Sequence, residues 1–206
     1  LFYDKQYGGM FWSVHPSGVP VSTKKQAYGI AFAIYGLAAY YEAAKNQDAL
    51  DKAAELYSCL EKNFYDPVYG GYIESLGNDF SVIEDVRLSD KDQNAIKSMN
   101  THLHVIEAYA MLYVVLPTES IKRSIEQLLD IFEQHIIDAT RFQQQLFFEK
   151  NWTCTSALVS YGHDIEASWL LQEAAVVIGD FARIKKYINF AQCMAAAVAR
   201  NLSSAG

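Results

Sequence analysis

The chain alternates between segments that are apolar on all sides and segments that are apolar along one stripe. Residues 25–44 are almost entirely apolar or aromatic, which is typical of a helix surrounded by protein. Residues 48–63 instead place Leu50, Tyr57 and Leu60 on one stripe, with charged side chains opposite. This pattern predicts a buried inner helix followed by an outer helix with one solvated face.

The same alternation occurs twice more along the chain. Further inner helices are expected at residues 99–115 and 164–177, and further outer helices at residues 120–137 and 181–200. The turns from inner to outer helices are short, and Thr118 and Asp180 are suited to cap the helices that follow them. We therefore expect three pairs of inner and outer helices.

A sequence repeat lies in the long connections that precede the inner helices. The frame Phe-Tyr-Asp-x-x-Tyr-Gly-Gly occupies residues 2–9 and 64–71, and residues 146–153 resemble a degenerate third copy. Such self-similarity is typical of repeat architectures. Alternating stretches at residues 10–14 and 72–75 predict short hairpin strands after the repeats. Long loops at one end of a helical ring commonly carry the functional site.

An inner ring of helices inside an outer ring is an all-α architecture, the α/α toroid. The chain of 206 residues is long enough for one domain, which we expect to comprise residues 1–206. Three pairs form only part of a ring and leave apolar faces on the first and last pairs. We therefore expect a partial barrel, truncated at both ends, that self-associates through these edges or is completed by further sequence.

The composition narrows the possible partners and the compartment. A net charge of −7 with scattered Lys and Arg disfavours nucleic acid, because an acidic surface repels a phosphate backbone. No apolar run approaches the roughly 18 residues that a membrane-spanning helix needs, and Leu1 begins no secretion signal. We therefore expect no membrane partner and a cytoplasmic location. The cysteines, Cys59, Cys154 and Cys193, are odd in number and lack CxxC spacing, which predicts buried, reduced thiols.

Polar residues open the predicted inner helices, where a simple core helix would be apolar. Asn100 and His104 are four residues apart and therefore share one helix face. His163 and Glu166 are three residues apart in the third inner helix, and Tyr28 takes the corresponding place in the first. These groups are expected at one end of the barrel, next to the long loops.

A single histidine on an apolar helix is more often a hydrogen-bonded structural residue than a catalyst. We assign His102 to that structural class, and His15 and His135 to that class or to solvent. His104 and His163 differ, because two separate helices place each of them beside a polar partner at the same end. We therefore expect these two imidazoles to be functional.

The residue types leave several kinds of chemistry open. His104 and His163 lack the double-His spacing of helical zinc sites, so no metal is expected. A glycosidase needs two carboxylates, and Glu107, Asp164 and Glu166 are available. Neutral histidine takes up and returns protons near pH 7, which favours proton transfer at carbon. A non-catalytic helical-repeat interaction module would not explain polar groups gathered at one end.

Three segments resemble one enzyme family. They are Lys-Gln-Ala-Tyr-Gly-Ile-Ala-Phe-Ala-Ile-Tyr at residues 25–35, Lys-Ser-Met-Asn-Thr-His-Leu-His at residues 97–104, and Ser-Tyr-Gly-His-Asp-Ile-Glu-Ala-Ser-Trp-Leu-Leu at residues 160–171. In this order and spacing they resemble the cellobiose 2-epimerases of the N-acylglucosamine 2-epimerase superfamily. The resemblance implies a longer barrel of the (α/α)6 type, of which this chain would be the middle portion.

The resemblance also implies an activity and roles for single residues. It implies reversible epimerisation at C2 of the reducing-end glucose of a β-1,4-linked disaccharide, without a cofactor, by proton transfer through an enediolate. On this basis His163 is one member of an acid/base pair, and His104 assists ring opening or holds the oxygens of the sugar. Tyr28, Asn100 and Glu166 would hydrogen-bond the disaccharide, the expected small-molecule partner.

Some groups that the resemblance implies are not in this sequence. An active-site arginine is expected before Leu1, and the second catalytic histidine and substrate-stacking tryptophans are expected after Gly206. We therefore expect the 206-residue chain alone to be inactive. Two sibling activities on the same barrel stay open, N-acylglucosamine 2-epimerase and aldose–ketose isomerase, as does an α/α-toroid carbohydrate hydrolase or lyase.

Overall fold

The computed structural model describes residues 1–203, and helices account for most of that part of the chain. The α-helices are α1 (Ala27–Ala44), α2 (Gln47–Asn63), α3 (Met99–Val115), α4 (Glu119–Ile131), α5 (Tyr161–Val177) and α6 (Phe181–Ser203). One π-helical turn, Phe132–Ile136, continues α4.

Alternate helices form two layers. Helix α1 packs against α3 and α3 packs against α5, which gives an inner layer, while α2, α4 and α6 each pack against the inner helix that precedes them. Apolar side chains of both layers, including Ile34, Leu56, Ile106 and Leu171, are buried in one contiguous hydrophobic cluster. The predicted alternation of inner and outer helices is confirmed.

The outer helices begin at the predicted caps. The Thr118 hydroxyl accepts a hydrogen bond from the Ile121 N–H at 3.4 Å, and the Asp180 carboxylate accepts one from the Arg183 N–H at 3.0 Å. These bonds satisfy backbone donors that the first turn of a helix leaves unpaired. Both predicted capping roles are confirmed.

Short antiparallel strand pairs tie the loops to the starts of the inner helices. The strands are β1 (Ser13–Val14), β2 (Pro20–Ser22), β3 (Lys25–Gln26), β4 (Ser75–Leu76), β5 (Lys97–Ser98), β6 (Ile137–Asp138), β7 (Gln143–Gln144) and β8 (Phe147–Phe148). The pairs are β1 with β2, β3 with β4, β5 with β8, and β6 with β7. Strand β3 directly precedes α1 and pairs with the loop before α3, while β5 directly precedes α3 and pairs with the loop before α5. The inner helices therefore begin at one end of the molecule.

Two details of the predicted elements are wrong. Lys25 and Gln26 are not helical, because their extended backbone forms strand β3 with Leu76 and Ser75 as partners. The stretch predicted at residues 72–75 pairs locally at its start, where Tyr72 forms an antiparallel bridge with Tyr65, and its end pairs with β3 through Ser75. The stretch predicted at residues 10–14 ends in the β1–β2 hairpin. The third inner helix begins at Tyr161, three residues before the predicted start, and His163 lies in its first turn, as predicted.

The sequence repeat forms the same loop each time. The Asp4 N–H donates to the Gly9 carbonyl, and the Asp66 N–H donates to the Gly71 carbonyl. The degenerate third copy closes in the same way with one residue fewer, through the Glu149 N–H and the Thr153 carbonyl. In the first two copies the aspartate also holds a buried lysine from the strand before the inner helix, Lys25 at 2.7 Å and Lys97 at 2.9 Å.

The cysteines and the helix lengths bear on two further expectations. Cys59, Cys154 and Cys193 are free thiols, but they are half-buried rather than buried. Within residues 1–203, the helices are too short or too polar to cross a membrane.

Candidate functional site

A cavity of about 230 Å³ lies where α3 and α5 begin. Asn100 from α3 and His163 from α5 line this cavity, with Ser160 directly before α5. The loop between the second repeat and α3 contributes Glu74 and Arg87. Two predicted site residues therefore meet at the loop-bearing end of the inner helices.

His163 is held at the start of α5 by a side chain of its own segment. Its Nδ1 lies 2.6 Å from the hydroxyl oxygen of Ser160, the residue that precedes the helix. Nε2 forms no hydrogen bond with any residue of the described part of the chain, so it can exchange a proton with a ligand in the cavity. The positive partial charge of the α5 N-terminus would also favour negative charge on such a ligand.

His104 lies one turn beyond Asn100 on α3 and belongs to a second group of residues. Its Nδ1 is 2.8 Å from a carboxylate oxygen of Glu107. The ring packs edge-on against Tyr28 and is tilted against Phe32, with centroid distances of 5.1 and 4.8 Å. A neutral imidazole that donates from Nδ1 to Glu107 presents Nε2 as a hydrogen-bond acceptor or base.

Tyr28 on α1 lies near carboxylates of the other two inner helices. Burial raises the pKa of the Tyr28 hydroxyl, and the negative charges of Glu166 and Glu107 raise it further. Tyr28 on α1 therefore lies within range of carboxylates from α5 and α3. It stays protonated at neutral pH and can donate a hydrogen bond.

The five predicted site residues thus fall into two neighbouring groups. Asn100 and His163 line the cavity, while Tyr28, His104 and Glu166 lie around the adjoining face of the inner helices. Among the side-chain contacts within residues 1–203, none joins His104 directly to His163. A single sugar site formed by all five residues stays a prediction.

The cavity contains a glutamate that was not predicted. Glu74 is 3% exposed, and one of its carboxylate oxygens accepts a hydrogen bond from the Thr101 hydroxyl at 2.6 Å. Burial raises its pKa to about 7. The repeat offered a signal, because Glu74 follows Gly71 at the position where Trp12 follows Gly9. An ionisable residue in place of an aromatic one at the same repeat position indicates a role other than hydrophobic packing.

Two histidines near the site have structural roles instead. His102 Nε2 accepts the Tyr72 N–H at 2.9 Å and its Nδ1 bonds the Ser98 carbonyl, so its assignment as structural is confirmed. Burial lowers the pKa of His102 to about 3, which keeps it neutral. His135 stacks on Trp152 at a centroid distance of 5.1 Å.

Asp164 anchors α5 rather than facing the cavity. Its carboxylate is buried and accepts the Gln144 N–H of β7 at 2.8 Å. Burial also raises the pKa of Asp164. Of the three carboxylates that a hydrolase could use, Asp164 is thus occupied in holding the helix, and Glu107 is engaged with His104. The arrangement favours imidazole chemistry over a pair of opposed carboxylates.

The side chains at this end of the molecule do not form a metal site. Within residues 1–203, no three His, Cys, Asp or Glu residues are grouped so that they could hold a metal ion.

Comparison with known proteins identifies the family. The model of the N-acylglucosamine 2-epimerase (GlcNAc 2-epimerase) family matches residues 1–204. The chain belongs to the N-acylglucosamine 2-epimerase family. A cellobiose 2-epimerase from Bacteroides fragilis is 43% identical over 205 residues, which cover 100% of this chain and 52% of that protein.

Solved structures of the same family confirm the architecture. The cellobiose 2-epimerase from Bacillus thermoamylovorans B4167 superposes with a TM-score of 0.90 at 36% identity, covering 96% of this chain and 50% of that one. The enzyme from Spirochaeta thermophila DSM 6192 gives a TM-score of 0.90 at 36% identity, covering 100% and 51%. The predicted α/α toroid is confirmed. The chain spans about half the length of the curated relatives it matches.

Proposed function

We propose that the protein containing this chain is a cellobiose 2-epimerase, which interconverts the glucose and mannose forms of the reducing end of a β-1,4-linked disaccharide. The proposal rests on His163, an imidazole with a free Nε2 in a cavity at the start of the inner helix α5. It is supported by the 43% identity to a relative with that name, which extends over this segment. No cofactor is required, because a carbonyl already acidifies the neighbouring C–H bond.

The proposed reaction moves one proton at a time. After the sugar ring opens, a neutral imidazole takes the proton from C2, and the electrons of the C–H bond shift to form an enediolate between C1 and C2. A protonated imidazole on the opposite face then delivers a proton to C2, and the C1 carbonyl is restored. We assign His163 to one of these steps, and we place its partner in the part of the relatives' length that this chain does not span.

The remaining predicted residues would bind and orient the sugar. Asn100 lines the cavity with a side-chain oxygen that has no hydrogen-bond partner within residues 1–203, so it can accept from a hydroxyl. His104, oriented by Glu107, would assist ring opening or hold a sugar oxygen. Tyr28 would donate to a sugar oxygen, and Glu166 would accept from a hydroxyl. Each role is tested by the loss of binding or turnover when that side chain is removed.

A labelling experiment tests the reaction, the position and the proton exchange together. The full-length protein is incubated with cellobiose in heavy water, and the product is analysed by NMR. We expect a mannose-ended disaccharide with deuterium at C2. His163→Asn removes the acid/base group while keeping a polar side chain of similar size, and we expect turnover to fall at least about 10³-fold.

The same experiment separates the alternatives. A ketose product would indicate an aldose–ketose isomerase, and shortened sugars would indicate a hydrolase or lyase. Turnover of N-acylglucosamine in place of cellobiose would indicate the sibling epimerase. Recovery of unlabelled, unchanged cellobiose would contradict the proposed function.

The compartment and the assembly are also proposals. Three free cysteines are consistent with a reducing environment, and we place the protein in the cytoplasm. We further propose that residues 1–206 belong to a single barrel domain, and that an isolated chain of this length self-associates through its uncovered helix faces.

A further inference from the structure

A buried carboxyl group lies beside the cavity with half of its hydrogen-bonding capacity unused. Glu74 lines the cavity together with Asn100 and His163. Its Oε1 accepts from the Thr101 hydroxyl at 2.6 Å, but its Oε2 is buried and has no partner within residues 1–203. A buried polar atom without a hydrogen-bond partner destabilises a protein by roughly 1–3 kcal/mol, so such atoms usually bind a ligand or an ordered water molecule.

The backbone holds Glu74 rigidly between two inner helices. Its carbonyl accepts the N–H of Ala27, the first residue of α1, and its own N–H donates to the Ile96 carbonyl just before α3. Thr101, in the first turn of α3, fixes the side chain. These contacts hold the carboxyl group beside the start of α3.

We propose that Glu74 is a further substrate-binding residue, whose Oε2 donates a hydrogen bond to an oxygen of the sugar in the cavity lined by Asn100 and His163. This inference rests on the proposed function. Asn100 supports it independently, because its Oδ1 is also buried, also lines the cavity and also lacks a partner within residues 1–203. A sugar hydroxyl both donates and accepts, so it can satisfy a protonated carboxyl group and an amide oxygen at the same time.

The protonated form of Glu74 is favoured by its surroundings. Burial is the main reason that the Glu74 pKa rises to about 7, and the charge of Asp92 raises it further. The hydroxyl groups of Ser98 and Thr101 and the charge of Lys24 act in the opposite direction. The other charged or titratable groups that line the cavity are Arg87, Lys91 and His163.

The test measures binding separately from turnover in the full-length protein. The probe is cellobiitol, the reduced open-chain form of cellobiose, which lacks the carbonyl group and cannot be epimerised. Its dissociation constant is measured by calorimetry between pH 6 and pH 9 for the wild type, Glu74→Gln and Glu74→Ala. Glu42→Gln, an exposed position near the far end of α1, serves as the matched control.

The variants have distinct expected results. At pH 6 we expect Glu74→Ala to weaken binding about tenfold, the effect of one lost hydrogen bond. Glutamine keeps a hydrogen-bond donor at every pH, whereas Glu74 loses its donor when it ionises. Between pH 6 and pH 9, cellobiitol binding by the wild type should therefore weaken about tenfold relative to binding by Glu74→Gln. Thermal melting of each variant shows whether it is folded, and Glu42→Gln should bind like the wild type.

The outcomes separate this inference from the proposed function. Binding that is equal in the wild type and both Glu74 variants at every pH overturns the inference, even if stability changes, because Glu74 is then purely structural. Wild-type binding that strengthens with pH relative to Glu74→Gln also overturns it, since the ionised carboxylate would then be the binding form. Binding that depends on Glu74 without any epimerisation of cellobiose refutes the proposed function alone. A wild type that does not bind the sugar refutes both.

Discussion

At the scale of single residues, burial decides which polar groups can act. His102 and His163 lie in the first turns of neighbouring inner helices, yet only the second keeps a nitrogen free within residues 1–203. Both nitrogens of His102 are engaged by backbone groups, and burial lowers its pKa to about 3. Glu74 shows the opposite shift, because burial disfavours the charged form of either group.

The raised pKa of Glu74 predicts a specific dependence of stability on pH. Its pKa rises from 4.5 to about 7 on folding, so between these values the folded state binds more protons than the unfolded state. The stabilisation is complete below about pH 4.5, declines as the pH rises and is lost above about pH 7, by roughly 3 kcal/mol in total. Glutamine does not titrate, so Glu74→Gln should gain stability relative to the wild type from pH 5 to pH 8.

Chemical denaturation at pH 5, 6.5 and 8 measures this difference. Subtracting the free energy of unfolding of the wild type from that of the variant removes the contributions of all other titrating groups. One of these groups is His102, which destabilises the fold as the pH falls below about 6.5. A difference that does not change across this range would show that Glu74 titrates near its ordinary pKa.

At the scale of elements, the repeated loop and the inner helix form one unit. In two copies the loop aspartate pairs with a buried lysine, as Asp66 does with Lys97. Lys97 Nζ also donates to the carbonyls of Gly70 and Lys150, so every proton of this buried ammonium group has an acceptor. The loops are thereby fixed to the helix starts, and this rigidity holds the cavity in place.

The two glycines of the second repeat should respond very differently to alanine. Gly70 and Gly71 both have φ values in the left-handed region, +70° and +75°, so alanine adds about 1–2 kcal/mol of backbone strain at either position. At Gly71 a Cβ would also lie 2.5 Å from Trp152 and 2.6 Å from His102, whereas at Gly70 the nearest atom is 3.8 Å away. We expect Gly71→Ala to be less stable than Gly70→Ala by about 1–3 kcal/mol.

Urea denaturation of the two variants tests this expectation, with Gly70→Ala as the control for backbone strain. Equal losses in both variants would mean that the ring of Trp152 moves aside freely, and the packing argument for the second glycine would fail.

At the scale of the whole molecule, three helix pairs leave apolar surface uncovered. Large side chains of the inner helices, among them Tyr40, Val114 and Trp169, are at least half exposed in this chain. A contiguous patch of exposed apolar side chains normally marks a surface that contacts other protein. The match to about half the length of its relatives agrees with this.

The span of about half the length of its relatives predicts a difference between the isolated chain and the full-length protein. Residues 1–206 alone should not epimerise cellobiose, because the proposed mechanism places the acid/base partner of His163 outside this chain. The isolated chain should also sediment as a dimer or larger species. NMR assays of cellobiose turnover and analytical ultracentrifugation measure the two properties. Epimerisation by a monomeric chain of 206 residues would show that the site described here is complete.

The sequence by itself determined the helix layers, the repeat and the residues that open the inner helices. These features are local, since the spacing of apolar positions fixes which face of a helix is buried. The tertiary structure alone decided that Lys25 pairs as a strand, that Asp164 is an anchor and that Glu74 enters the cavity. Each of these depends on a segment that is distant in sequence: Lys25 on β4, Asp164 on β7, and Glu74 on the start of α3. The spacing of apolar residues within one segment carries no information about which other segments pack against it.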